Sequence, residues 1–292
     1  MLQLLFIWLL FFWFFYITAV LAGNKSKEME HNSDIEVNRY EISIEKLFAD
    51  KLDLDKSIYR NRVKYKERYN WRIVYKYSDL LVSCNKDISL RLEKLIKEIY
   101  DFLESCIKKE PVFEKSLVPL EIKEYYPSII KRMCRKAAIF NVGPMATVAG
   151  AVCDYIASGL DRHCRRLIIE NGGDIFIKSN KDVDIGIYLK NKYFADKICL
   201  KIKAGDTPCG ICSSSGIFGH SLSMGCSDLV VVLARSTVSA DGAATSIANR
   251  INTPADINKT VTDYKNIKDI TGILVVKDDK LGVWGNIELT GS

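Results

Sequence analysis

A change of pattern at Leu167 constrains this chain most. From there the sequence breaks into short apolar or alternating runs, LIIEN, IFIK, VDIGIYL, ICLKIKA and LVVVLA, each bounded by turn residues. Short runs rich in Val and Ile and closed by Gly, Asn, Asp or Pro are strand patterns. From about Asp87 to Leu167 the pattern is helical. Leu92, Leu95, Ile96, Ile99 and Leu103 recur at helical spacing, behind Asp87 or Ser89 as a cap and ahead of Pro111 as a stop. Pro127, a good first helical residue, opens a second helix with Ile130, Met133 and Ala137 on one face. A third follows Gly143-Pro144, in MATVAGAVCDYIASG, lean enough to let other backbone approach closely. A further helix follows LVVVLA, and GILVV, a DDK turn and LGVWG close the chain as a hairpin. Helices and strands are partly segregated, so the expected class is α+β, with a mixed or antiparallel sheet and packed helices.

The 292 residues suit one large domain with an appendage. Residues 1–22 carry no charged side chain and are long enough to cross a bilayer as a helix. Lys25 and Lys27 follow directly, so we expect a membrane anchor with a cytoplasmic body. A signal peptide cleaved after VLA and a misassigned start are the alternatives. Residues 23–58 are polar and read as a linker, and the folded body runs over 59–292. Nine irregularly spaced cysteines argue for reduced thiols rather than a disulfide framework. The net charge of +6 is too mild to argue for nucleic acid. Basic residues from Arg60 to Lys76 alternate with Tyr65, Tyr69, Trp71 and Tyr75, which reads as a solvated edge hairpin before it reads as a strand-binding surface.

Three stretches carry chemistry. ENGGDI joins two strands. Asn-Gly is a strong hairpin signal, and a plain turn accounts for it. The same turn leaves amides of Gly172 and Gly173 to hold a phosphate, with Asn171 and Asp174 beside them. GICSSSGIFGHSLSMG reads as a loop whose Ser213, Ser214, Ser215 and Gly216 offer donors without bulk, and His220 within it is a candidate base. Cys209 and Cys212 form a CxxC from which, with His220 and Cys226, a zinc site could be assembled. In SADGAATSIAN, Ser239 is a plausible cap and Asp241 suits the first turn of a helix. That does not explain Thr245, one turn on and on the same face. A carboxylate and a hydroxyl so placed can share a hard cation such as Mg²⁺.

VGPMATVAGAV, ENGGDI, GICSSSGIFGHSLSMG, ADGAATSIAN and KLGVWGNIEL occur in the order found in an uncharacterised family related to ApbE, which this chain resembles from about Tyr59 to Leu289. ApbE is a flavin transferase that moves FMN from FAD onto a protein threonine. The resemblance implies an ApbE-like fold over 59–292, Mg²⁺ on Asp241 and Thr245, and a flavin nucleotide, FAD or FMN, near Asn171, Gly172, Gly173, Asp174 and Ser213 to Gly216. It implies His220 as the residue that deprotonates a hydroxyl of a protein substrate, and assembly into a homo-oligomer. The pattern departs from ApbE at two places: Thr147 stands near the ApbE lysine of a GGIAKGYAVD-like motif, and HSLSM replaces HIIDP. The alternative function is a non-catalytic small-molecule-binding accessory protein, in sulfur or homocysteine metabolism, with Cys212 near its pocket.

Overall fold

The computed structural model describes residues 36–39, 67–160, 162–187, 189, 191, 193–194, 198–216 and 225–291. The hydrophobic segment 1–22, most of the linker and His220 lie outside the described residues. Among the described residues no single helix is long and apolar enough to cross a membrane.

The core is one antiparallel sheet. Strands β1 (Glu36–Arg39), β2 (Tyr69–Tyr75), β3 (Ser78–Cys84), β4 (Leu167–Asn171), β5 (Asp174–Lys178), β8 (Cys209–Ser214), β9 (Leu229–Ala234), β10 (Ile270–Lys277) and β11 (Lys280–Gly285) lie side by side in that order. Strands β6 (Val183–Gly186), β7 (Ile198–Ile202) and β12 (Glu288–Gly291) form a small second sheet, ordered β12-β7-β6. Helices α1 (Ser89–Lys109), α2 (Val112–Lys115), α3 (Ser128–Phe140), α4 (Val148–Leu160), α5 (Thr237–Ala248) and α6 (Asp256–Tyr264) are the helical elements, with a 3₁₀ turn over Pro144–Thr147.

Strand alternation separates two faces. Leu167 and Ile169 of β4 pack with Leu92, Ile96 and Ile156 of the helices. Ile168 packs instead with Ile185, Leu200 and Ile202 of the small sheet. The middle strands are therefore covered on both sides, and every residue of β4 and β9 is buried. This is why LVVVLA is continuously apolar rather than alternating. Next to the edge strand β1, β2 alternates as its sequence suggests, with Trp71, Ile73 and Tyr75 inward and Arg72 outward against Asp79 at 2.9 Å. Arg72 and Lys76, which pairs with Glu104, are thus neutralised within the fold.

The segregation of helices and strands matches the sequence pattern, and the sheet is antiparallel at every described pairing. Two expectations change. GICSS is not loop but strand β8, because β5 and β9 pair with it on both edges. The tight turn in ENGGDI centres on Gly172-Gly173, not Asn-Gly. Asn171 pairs with Asp174, and the two glycines take φ of 64° and 103°, where a side chain would be strained.

Lys136 of α3 and Ser239 of α5 both reach Asp269, the residue before β10. The Lys136 ammonium holds the Asp269 carboxyl below its ordinary value of 3.8. The unfolded chain then binds the extra proton first, so this group stabilises the fold above about pH 4 and loses that contribution as pH falls through the lower folded value. Lys136→Met should flatten the acid limb of a stability–pH curve by about 1 kcal/mol or less, since the pair is part-exposed. Urea titrations from pH 5 down to pH 2.5 test it, and parallel acid limbs for the two proteins would refute it.

Candidate functional site

Helix α5 lies along β8. A Cβ on Gly210 would sit 2.4 Å from the Thr237 Cα, and one on Gly225 would meet the Ala248 carbonyl at 1.9 Å. A Cβ on Gly216 would in turn meet the Gly225 carbonyl at 2.1 Å. Strand and helix therefore touch directly at Gly210, and at the other end Gly225 lies between Gly216 and the helix. Six residues of strand at ~3.3 Å and eleven of helix at ~1.5 Å advance comparable distances. Thr245 thus comes level with Ser214, and Asp241 with Cys212. The small residues of this helix keep the close approach open.

Helix α5 begins at Thr237, two residues before the expected cap. Ser236 occupies the cap position without capping the backbone, and its hydroxyl instead meets that of Ser239 at 2.9 Å. The first amides are satisfied from another helix. The buried Asp154 of α4 accepts from Thr237 N at 3.0 Å and from Val238 N at 3.1 Å, while Arg132 of α3 contacts it at 3.1 Å. Asp241 is therefore not in the first turn, and helix-dipole complementarity does not account for it. Its Oδ2 instead accepts the Gly150 amide of α4 at 2.9 Å. A Cβ on Gly150 would lie 2.4 Å from the Thr237 carbonyl, so only glycine allows this contact.

The β4–β5 turn arrives at the same place. Asn171 Nδ2 donates to the Ala149 carbonyl at 3.4 Å, and Cys153 of α4 approaches the Asp174 carbonyl at 3.6 Å. A Cβ on Gly173 would be 3.0 Å from Ser213 Oγ. Burial pushes the Asp174 carboxyl well above the ordinary carboxylate range, and the nearby Asp241 charge pushes it further. The Cys212 thiol and Ser213 amide donate to it and oppose that shift. Burial raises Asp241 to about 7, against the donated amides of Gly150 and Ala149. Burial also raises Cys212 well above its ordinary value, which keeps it a thiol and a donor rather than a nucleophile.

Asn171, Gly172, Gly173, Asp174, Ser213, Ser214, Asp241 and Thr245 thus share one end of the sheet, with Ser215 and Gly216 continuing from it. The backbone donors are largely engaged. Gly173 N donates to Glu170 at 2.9 Å, Gly216 N donates to the Ser227 carbonyl at 2.9 Å, and the Ser213 amide serves Asp174. The bare-amide phosphate cradle expected from the glycines is therefore closed at these positions. What remains is a cluster of acids and hydroxyls. Ser214 Oγ is buried with no hydrogen-bond partner among the described residues. An all-oxygen set of this kind fits a hard cation that keeps water and ligand oxygens in its shell.

The CxxC does not make a zinc site. Three residues apart on a strand, Cys209 and Cys212 face opposite sides of the sheet, Cys209 toward the small sheet and Cys212 toward the helices. Among the described residues no three His, Cys, Asp or Glu side chains gather to hold a metal. Thr147 is buried, and its hydroxyl donates to the Pro144 carbonyl at 2.8 Å. Motif reading overlooked Gly150 and Asp154. The signal for Asp154 was a lone acid in an otherwise apolar helix.

Residues 60–280 match a family model described as "AbpE bacteria". A protein named UPF0280 protein MJ1526, from Methanocaldococcus jannaschii, is 36% identical over 74% of this chain and 90% of its own length. A UPF0280 protein from Methanobrevibacter smithii is 40% identical over 67% of this chain and 85% of its own. Among solved structures, the ApbE protein of Thermotoga maritima superposes with a TM-score of 0.53 at 15% identity, covering 75% of this chain and 96% of that one. That likeness is one of fold.

Proposed function

The chain belongs to the ApbE-related family described as "AbpE bacteria", and on that premise we propose that it binds a flavin nucleotide diphosphate through a divalent cation and transfers FMN to a protein hydroxyl. The observation that carries this reading is the Asp241 carboxylate, drawn off the helix-start role and held by the Gly150 amide at 2.9 Å beside Asp174 and the serine-bearing end of β8. A diphosphate brought beside the ionised Asp241 carboxylate meets like charge, which a bound cation would offset. Asp241 and Thr245 would hold it, and when bound it supplies charge neutralisation at the phosphoryl oxygens. Burial favours the neutral form of Asp174, which limits the negative charge a ligand would meet there. Ser214 Oγ is placed to donate to a ligand oxygen. The turn at Gly172 is exposed and leaves room for the nucleotide.

Incubating the full chain with FAD, Mg²⁺ and a hydroxyl-bearing protein acceptor should release AMP and leave flavin covalently on the acceptor. FAD binding without AMP release would leave the nucleotide site and remove the transfer step. One observation favours that second reading, a binding protein rather than a transferase. Thr147 stands near the ApbE lysine, and its hydroxyl is turned onto Pro144 instead of toward the ligand.

A further inference from the structure

A second chemical site lies across the sheet's helical face, at the end of β3. Cys84 closes that strand, pairing in register with Leu167. Cys164 sits in the turn just before β4, and the two thiol sulfurs are 2.7 Å apart. Both thiols are buried in the helix-side core. The turn is fastened from below, since Asn85 Oδ1 accepts the amides of Arg165 at 3.0 Å and Arg166 at 3.1 Å. These bonds hold Cys164 over Cys84 through two independent anchors, the β3–β4 ladder and the Asn85 clamp.

We propose that Cys84 and Cys164 form a reversible dithiol–disulfide couple that reports the redox state of small-molecule thiols. The hydrogen bond between the two sulfurs lowers the Cys84 thiol from its ordinary value, which favours its thiolate as the attacking form. In the oxidising direction the Cys84 thiolate attacks one sulfur of a small disulfide such as oxidised glutathione and expels one glutathione thiolate. Cys164 loses its proton to that leaving group. Its sulfur then displaces the second glutathione, so the protein loses two hydrogens and two small thiols are formed. Arg162, His163 and Arg165, beside Cys164 in this short turn, are exposed, so the reagent enters when the turn opens. The bond closes a loop containing α1 to α4. It ties the end of α4, the helix that carries Gly150 and Asp154, to the sheet. Closing so long a loop restricts the unfolded chain strongly, and an increase in Tm of about 5–15 °C is expected.

The test uses the reduced full chain, equilibrated folded in glutathione buffers of increasing oxidised fraction, acid-quenched, alkylated and peptide-mapped. The peptides carrying Cys84 and Cys164 should become joined while the other seven of the nine cysteines stay alkylatable. Tm should rise and fall back with dithiothreitol, and Cys84→Ser should show neither the joined peptide nor the rise. Full alkylation of both thiols at every glutathione ratio in the wild-type chain overturns the proposal. So does a joined peptide that pairs either residue with a different cysteine. The wild-type map decides the matter even if the variant folds poorly.

Discussion

Asp241→Asn is expected to weaken cation-dependent flavin-nucleotide binding by about a hundredfold or more, with little change in Tm. The asparagine carbonyl still accepts the Gly150 amide and fills the same volume, so the α4–α5 contact survives. What disappears is the negative charge that a cation needs. Loss of one charged partner in a desolvated site typically costs ~2–5 kcal/mol, which is about thirty- to several-thousand-fold in affinity. Isothermal titration with FAD, with and without Mg²⁺, reads the effect directly. The two proteins should differ only in the presence of the cation. Equal affinities with Mg²⁺ present would remove Asp241 from the site.

Asp154→Ala is expected to destabilise the fold by ~3–5 kcal/mol. Three groups lose their acceptor together: the amides of Thr237 and Val238, and the Arg132 guanidinium. The two amides sit at the buried start of α5, where water cannot replace the carboxylate without opening the α4–α5 contact. Asp154→Asn keeps one acceptor and should cost roughly half as much. Midpoints of denaturant unfolding separate the three proteins. Because α5 also carries Asp241, the alanine variant should bind FAD less tightly even at temperatures where it is folded. A midpoint within error of wild type would show that Asp154 does not hold the helix.

The helices α1, α3 and α4 and the strands β4, β5, β6, β7, β9, β10 and β11 were legible because their periods are those of elements with one or two buried faces. Leu92, Ile96 and Ile99 mark the inner stripe of α1, and LVVVLA marks a strand covered on both sides. The gathering of Asn171, Asp174, Ser213 and Asp241 was legible only as a set of motifs in family order. Two local readings failed for a common reason. GICSS looked like a loop because Gly and Ser have weak strand propensity, yet β5 and β9 supply both ladders, and Gly210 is small because helix backbone lies against it. Asp241 looked like a first-turn acid because Ser239 resembles a cap. The helix starts earlier because a distant carboxylate, Asp154, satisfies its first amides.

The chain's own letters determined the α+β class, the order of most elements and the family to which they belong. Those properties follow from periodicity and short motifs, which act over a few neighbouring residues. Only the tertiary structure decided that Gly173, Ser213 and Gly216 spend their amides internally, that Cys209 and Cys212 face apart, and that Cys84 meets Cys164. Each of these depends on which strand lies beside which. That is set by burying two faces of one sheet at once, a global condition that no local window contains.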